Sequence, residues 1–140
     1  MKNKKSVQIK VQNPKIFEEY FDSKCVNSED FGKKYDDDLT EMKKHKKLFK
    51  LIINLNPLMK NKDYKEYRKK WFFKNGFGIF VIRGYGTYGS EKGLFECAVM
   101  DKEGLRCDTR ITNDVIGYNI SEDILKIGKR IMRLKWKNKN

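Results

Sequence analysis

Three glycines in the middle of the chain have the spacing of a nucleotide-binding loop. Gly84, Gly86 and Gly89 fit the pattern G-x-G-x-x-G, in which backbone N–H groups and the start of a following helix bind a pyrophosphate. Residues 94–100 alternate in polarity, so a strand is predicted after the loop where a dinucleotide site needs a helix. A protein kinase has glycines between strands, but the H-R-D motif it also needs is missing from this chain. We therefore expect a glycine-rich connection between strands.

The same loop has a cation and two aromatic rings that could contact bases. The segment Arg83–Gly86 matches the first four positions of the RNA-binding RNP1 pattern, and Ile79–Val81 is similar to its RNP2 partner. Because these motifs are contiguous here and lie on separate strands in an RNA-recognition fold, the sequence argues against that fold. We expect Arg83, Tyr85 and Tyr88 to form an aromatic contact loop that stacks on bases. The alternative is a hairpin connection whose tyrosines pack on the sheet.

Carboxylates, cysteines and the single histidine do not form a recognisable catalytic or metal-binding motif. The acidic triplet Asp36–Asp38 could hold a divalent ion, but acids at the start of a helix more often complement its dipole. Cys25, Cys97 and Cys107 lack metal-ligand spacing, and His45 is far from all three. We expect no cofactor, no bound metal and no enzymatic activity. A small metal-dependent nuclease is the enzymatic alternative.

Hydrophobic periodicity predicts that these residues belong to one α+β domain, residues 1–140. The composition supports a packed core, since 39% of the residues are hydrophobic and 13% aromatic. The first part, residues 1–75, is predicted to be basic and largely helical. Its expected elements are a leading strand over Ser6–Gln12, a helix after Asn13-Pro14, a loop over Cys25–Lys34, a long helix from Asp36 to Leu55 and a helix from Asp63 to Lys74.

The second part, residues 76–134, is predicted to be a three-stranded antiparallel meander closed by a helix. The strands are expected at 78–83, 94–100 and 105–112, with Asp101–Gly104 as a hairpin turn. Alternation places Phe95, Cys97, Val99, Cys107 and Ile111 on the inner face. Ser121 is expected to cap a helix that ends near Leu134. Residues 135–140 are expected to be a frayed basic tail.

Charge is distributed unevenly along the chain. There are 32 Lys and Arg residues against 19 Asp and Glu, a net charge of +13. Residues 1–75 contribute +9, residues 76–125 contribute −3 and residues 126–140 contribute +7. This layout favours a polyanionic or acidic partner, with solubility alone as the alternative. Because lysine outnumbers arginine 26 to 6, contact with a phosphate backbone is favoured over reading of base edges.

Three groups of cations are the candidate partner-binding residues. Residues four and three apart share a helix face, which predicts basic surfaces on the long helix, on the helix after it and on the last helix. In chain order the candidates are Lys43, Lys46, Lys47, Lys50, Arg68, Lys69, Lys70, Lys126, Lys129, Arg130 and Arg133.

From Gly76 to Leu134 the chain resembles small uncharacterised proteins of phages and mobile elements of low-GC bacteria. The features that carry the resemblance are the glycine-tyrosine loop, the segment Leu94–Val99 and the segment Thr109–Tyr118 before a capped helix. The resemblance implies a mobile-element origin. It also implies a role in host takeover or anti-defence, including inhibition of CRISPR nucleases.

Charge and resemblance together lead to two functional hypotheses. The first is a non-enzymatic, anti-CRISPR-like inhibitor in the host cytoplasm, which docks its basic surface on a host nuclease, a ribonucleoprotein effector or its nucleic acid. The alternative is a stand-alone, sequence-nonspecific accessory protein that binds DNA or RNA through the backbone. No apolar run reaches the length of a membrane span, so no membrane partner is expected, and the oligomeric state stays open.

Overall fold

The computed structural model describes residues 10–106, 108–112 and 114–136, with the backbone alone for residues 33–36. These ranges hold helices α1 Lys15–Lys24, α2 Gly32–Lys43, α3 Lys46–Leu55 and α4 Ser121–Ile131. They also hold strands β1 Cys25–Asp30, β2 Tyr67–Phe73, β3 Phe77–Arg83, β4 Phe95–Asp101, β5 Gly104–Leu105 and β6 Ile116–Asn119. The predicted α+β class is confirmed. No helix in the described ranges is long and apolar enough to cross a membrane.

The strands form one antiparallel sheet in the order β1-β2-β3-β4, and the far edge of β4 pairs with both β5 and β6. Trp71 of β2 lies opposite Ile79 of β3, which in turn lies opposite Val99 of β4. Every residue of β4 is buried, as expected for the strand in the middle of the sheet. The sheet has six strands in the described residues, so the predicted layout of a leading strand and a three-stranded meander has too few strands. Residues 10–12 of the predicted leading strand are not in a strand, and residues 6–9 lie outside the described residues.

The helix predicted over Asp63–Lys74 is wrong, because most of this segment is strand β2. Tyr67, Trp71 and Phe73 alternate with residues of the opposite face and are packed into the core, the period of two that a strand requires. The same aromatics also recur at near-helical spacing, so the local pattern satisfied both periods. Pairing with β1 and β3 on either side favours the strand, as does the high strand propensity of aromatic residues.

Two other predictions for the first 75 residues are corrected. The expected loop over Cys25–Lys34 contains the edge strand β1, whose exposed polar residues gave no alternating signal. The expected long helix is interrupted at Lys44-His45, where His45 leaves the helical region with φ −98° and ψ 83°. The two shorter helices pack on the same small core, α2 through Leu39 and α3 through Ile53.

The third strand predicted over 105–112 is also wrong, since among the described residues of that segment only Leu105 belongs to a strand. The hydroxyl of Thr112 donates to the carbonyl of Asp114 (2.7 Å) and accepts from its N–H (3.1 Å). Such local side-chain bonds compete with a strand ladder. The partner of β4 at this edge is β6, which the sequence analysis did not find.

The main core lies between one face of the sheet and helices α1 and α4. Phe17 packs edge-on against Trp71 and Phe95, with ring centroids 5.9 and 5.2 Å apart. The close packing of α4 on α1 requires a glycine at position 128, because a Cβ there would lie 2.2 Å from the ring of Phe21. Asp123 closes the start of α4 by accepting the N–H of Ile120 (3.1 Å). The expected cap, Ser121, instead donates its hydroxyl to the carbonyl of Asn13.

Candidate nucleic-acid interface

Arginine is rare in this chain, yet four of the six arginines meet at one corner of the molecule. The corner lies where the end of α4 faces the loop between β5 and β6. Two adjoining depressions there share Arg110 and Leu134 in their walls. The arginines that line them are Arg106, Arg110, Arg130 and Arg133.

The smaller depression, which we call the arginine pocket, has a volume of about 330 Å³. It is lined by Arg110, Ile111, Arg130, Arg133 and Leu134. Among the described residues, no carboxylate lies within 4.0 Å of its three guanidinium groups. The end of α4 supplies only about half a negative charge. Three positive charges therefore exceed what the helix end can balance, and an anion is the natural occupant.

The larger depression, which we call the cleft, has a volume of about 900 Å³ and an apolar side formed by Phe77, Leu134 and Trp136. The indole of Trp136 stacks on Phe77 with ring centroids 4.5 Å apart and planes 20° apart. Its N–H donates to the carbonyl of Asn75 (2.7 Å), and the Asn75 amide donates to the carbonyls of Ile131 and Leu134 (2.8 and 2.9 Å). These bonds fix Trp136 while 49% of it stays exposed.

Arg106 is the arginine of this corner whose charge is already balanced. Its guanidinium donates to Asp101 (2.7 Å) and to both carboxylate oxygens of Asp108 (2.9 Å each). The hydrogen bonds that Arg106 donates to Asp108 and Asp101 raise its pKa. Burial raises the pKa of Asp101, but the hydrogen bonds from Arg106 and from the Glu103 N–H outweigh it, so the pKa lies below 3.8. Among the arginines of the corner, the ones without a carboxylate partner in the described residues are therefore those of the arginine pocket.

The lowered pKa of Asp101 leads to a prediction of pH dependence. A carboxyl with a lower pKa in the folded state stabilises the fold above its unfolded pKa, and this stabilisation is lost as pH falls through the folded value. At neutral pH we expect Asp101→Asn to lower the thermal midpoint of unfolding. The difference in thermal midpoint between variant and parent should narrow as the pH falls below 3.8, the ordinary pKa of an aspartate carboxyl. A gap that stays constant down to strong acid would contradict this role.

The predicted lysines of the first helical group are exposed, but they do not share one helix. Lys43 ends α2, whereas Lys46, Lys47 and Lys50 lie on α3, after the interruption at His45. All four are exposed, and the ammonium group of Lys43 lies 5.9 Å from the ring centroid of Phe49. The expected continuous row of lysines is therefore divided between two helices.

The second group, Arg68, Lys69 and Lys70, is divided between the two faces of the sheet because it lies on β2. Lys69 faces α1, with its ammonium 3.8 Å from Asp22. Arg68 and Lys70 lie on the opposite face, where both charges lie within 5.2 Å of the ring centroid of Phe80. The third group is exposed on α4 and just beyond it: Lys126, Lys129, Arg130 and Arg133.

The expected contact loop is only partly assembled. Tyr85 and Tyr88 are 49% and 59% exposed, whereas Arg83 is 2% exposed and points into the protein. Its guanidinium donates to the carbonyls of Gln12 (2.6 Å) and Lys65 (3.0 Å). The structure therefore does not bring Arg83 together with the two rings. Gly89 is followed by a short 3₁₀ turn and then β4, so the glycine pattern is not a dinucleotide-binding element.

The candidates for metal chemistry and catalysis are dispersed. Among the described residues, no group of three or more His, Cys, Asp or Glu side chains could hold a metal ion. Asp37 and Asp38 are exposed on α2. The letters D-F-G occur at Asp30–Gly32, where the Asp30 carboxylate accepts the Gly32 N–H (2.8 Å) and closes a turn. Burial raises the pKa of the Cys97 thiol to about 12, as expected for an inert core cysteine; Cys107 lies outside the described residues.

Sequence reasoning missed Arg110 and Trp136, the residues that complete the corner. Arg110 lies in a segment predicted to be a strand, and Trp136 in a segment predicted to be a frayed tail. A tryptophan among lysines near the end of the chain is the signal that could have drawn attention to it. Comparison of the chain with protein-family models, with curated proteins and with solved structures gave no match.

Proposed function

We propose that this protein binds single-stranded nucleic acid at the corner formed by the arginine pocket and the cleft. The observation that carries the proposal is the juxtaposition of three arginines, which have no carboxylate partner in the part of the chain that the structure describes, with an apolar cleft containing a half-exposed tryptophan. Phosphate and base are the two chemical parts of a nucleotide. The arginine pocket complements the phosphate, and a base in the cleft would contact the exposed part of Trp136, whose ring already stacks on Phe77 and has the Arg106 guanidinium 5.4 Å from its centroid.

The arginine pocket suits a phosphate for geometric as well as electrostatic reasons. A guanidinium donates two parallel hydrogen bonds to a phosphate, and such charge-assisted bonds are roughly twice as strong as neutral ones. Arg130 lies in the last turn of α4 and Arg133 just beyond it, and Arg110 lies on the facing loop. A phosphate bound there would be held from two elements of the fold.

The cleft suits a base that has left its stack. Its volume of about 900 Å³ lies within the range of roughly 300–1,000 Å³ common for ligand pockets. Stacking of a base on an aromatic side chain contributes about 1–3 kcal/mol and depends little on base identity. Binding is therefore proposed to favour single strands and to discriminate weakly among sequences.

The proposed role is binding without chemistry, the function class of both hypotheses from the sequence. The inhibitor hypothesis differs in its partner, which would be a host nuclease or its ribonucleoprotein complex. Bare oligonucleotides separate the two, since an accessory nucleic-acid-binding protein binds them alone and an inhibitor that recognises protein does not.

The test measures binding of labelled single-stranded DNA and RNA oligonucleotides by fluorescence anisotropy at several salt concentrations. We expect the triple variant Arg110→Gln, Arg130→Gln, Arg133→Gln to bind more weakly. Its log–log salt slope should be shallower by about 2, because each lost phosphate contact on a single strand reduces the slope by roughly 0.7. A duplex of the same sequence should bind more weakly than either single strand.

The matched control is Lys46→Gln, Lys47→Gln, Lys50→Gln, which removes the same charge from α3. A smaller effect of this control is expected. If only the lysine variant loses affinity, binding takes place elsewhere and the arginine pocket is not the site. If the parent protein binds no oligonucleotide at low salt, nucleic-acid binding itself is refuted.

A further inference from the structure

Helix α3 has apolar residues on its solvent-exposed surface as well as on the face that packs on the small core. Ile52 and Ile53 are 6% and 5% exposed and face the small core, whereas Leu48, Leu51 and Leu55 are 50%, 61% and 66% exposed. The spacing of the three leucines is i, i+3 and i+7, and at 3.6 residues per turn they fall within about 60° of one another. They form a single exposed row, which we call the leucine row.

Lysines border the leucine row on the side away from the core. Lys47 lies next to Leu51 on the helix surface, one turn away, and Lys50 and Lys46 continue the basic side. Helix α3 contains no acidic residue, and none of these lysines has a carboxylate within 4.0 Å among the described residues. The exposed surface of α3 is therefore an apolar row with positive charge along one side.

We propose that the leucine row docks an acidic amphipathic helix of a partner protein. A helix laid along α3 would cover the leucines with its own apolar row, and acidic residues on its flank would face Lys47 and Lys50. Charge argues against antiparallel pairing with a second copy of α3. Antiparallel two-fold packing of two leucine rows would place the two basic sides next to each other. This proposal does not rest on the nucleic-acid site, which lies on α4 and the loop facing it.

The experiment uses the full-length protein and a synthetic helical peptide with leucine at heptad positions a and d and glutamate at e and g. We expect saturable binding by fluorescence anisotropy. The double variant Leu51→Ser, Leu55→Ser should bind about tenfold more weakly or worse, because it loses most of the apolar contact. Leu105→Ser is the matched control, since Leu105 is 54% exposed on β5, and it should bind as the parent does. Thermal unfolding checks that the variants stay folded.

Three further arms separate other occupants. A peptide with lysine in place of glutamate should bind much more weakly, and equal binding would overturn the proposal. Binding of the leucine row to vesicles rich in phosphatidylserine, with no binding to the acidic peptide, would assign the surface to a membrane. Self-association in sedimentation that the double serine variant abolishes would assign it to a second copy. Either result would replace the acidic helix as the occupant.

Discussion

Replacing Arg83 with methionine should lower the free energy of unfolding by about 3 kcal/mol or more. Arg83 is 2% exposed, and its guanidinium lies 4.5 Å from the ring centroid of Phe95. Burial lowers its pKa, against the opposing effect of Tyr64, Tyr67 and Glu66. Methionine would leave the carbonyls of Gln12 and Lys65 without their donors, and unsatisfied buried groups are costly.

Urea unfolding followed by circular dichroism measures this change, and Arg110→Met is the matched control. Because Arg110 is exposed, its replacement should alter stability by no more than about 0.5 kcal/mol. Equal stability of the two variants would show that Arg83 is not a structural residue. It would then return Arg83 to the set of candidates for contact with a partner.

Replacing Trp71 with alanine should lower the free energy of unfolding by about 3–5 kcal/mol. Trp71 is fully buried, it packs edge-on against Phe21 with centroids 5.1 Å apart, and its N–H donates to the carboxylate of Asp22 (2.7 Å). Alanine would leave a cavity between the sheet and α1. A domain is commonly stable by only 5–15 kcal/mol, so the loss would be a large fraction of the total.

The chain has two tryptophans, and the second provides the control. Trp136→Ala should cost less than half as much, because Trp136 is 49% exposed, and should weaken binding of single strands. Trp71→Ala should leave that binding intact under conditions where the variant is folded. The opposite pattern, with Trp136 governing stability and Trp71 governing binding, would refute the division between core and site.

Several elements followed from local sequence alone. Strands β3 and β4 and the turn between β4 and β5 follow from apolar runs, alternation and a glycine at the turn. Helix α1 after Pro14 and helix α4 follow from apolar spacing and acids near the start. These segments were predictable because the spacing of their apolar residues fits either the helix period or the strand period, and not both. The exposure of the lysines on α3 and α4 followed in the same way, since cations seldom enter a core unpaired.

Tertiary structure alone decided the state of β2, whose aromatics fit both a helix and a strand until β1 and β3 pair with it. It also decided the positions of two arginines: Arg83, which the sequence analysis placed wrongly, and Arg110, which it missed. Arg83 is the last residue of the buried strand β3, and only the approach of residues 12, 65 and 93 provides the carbonyls that hold it inside. Arg110 meets Arg130 and Arg133 across about 20 residues of chain, because β6 returns to β4 before α4 packs on the sheet. Such convergence depends on pairing between distant segments, which no local period encodes.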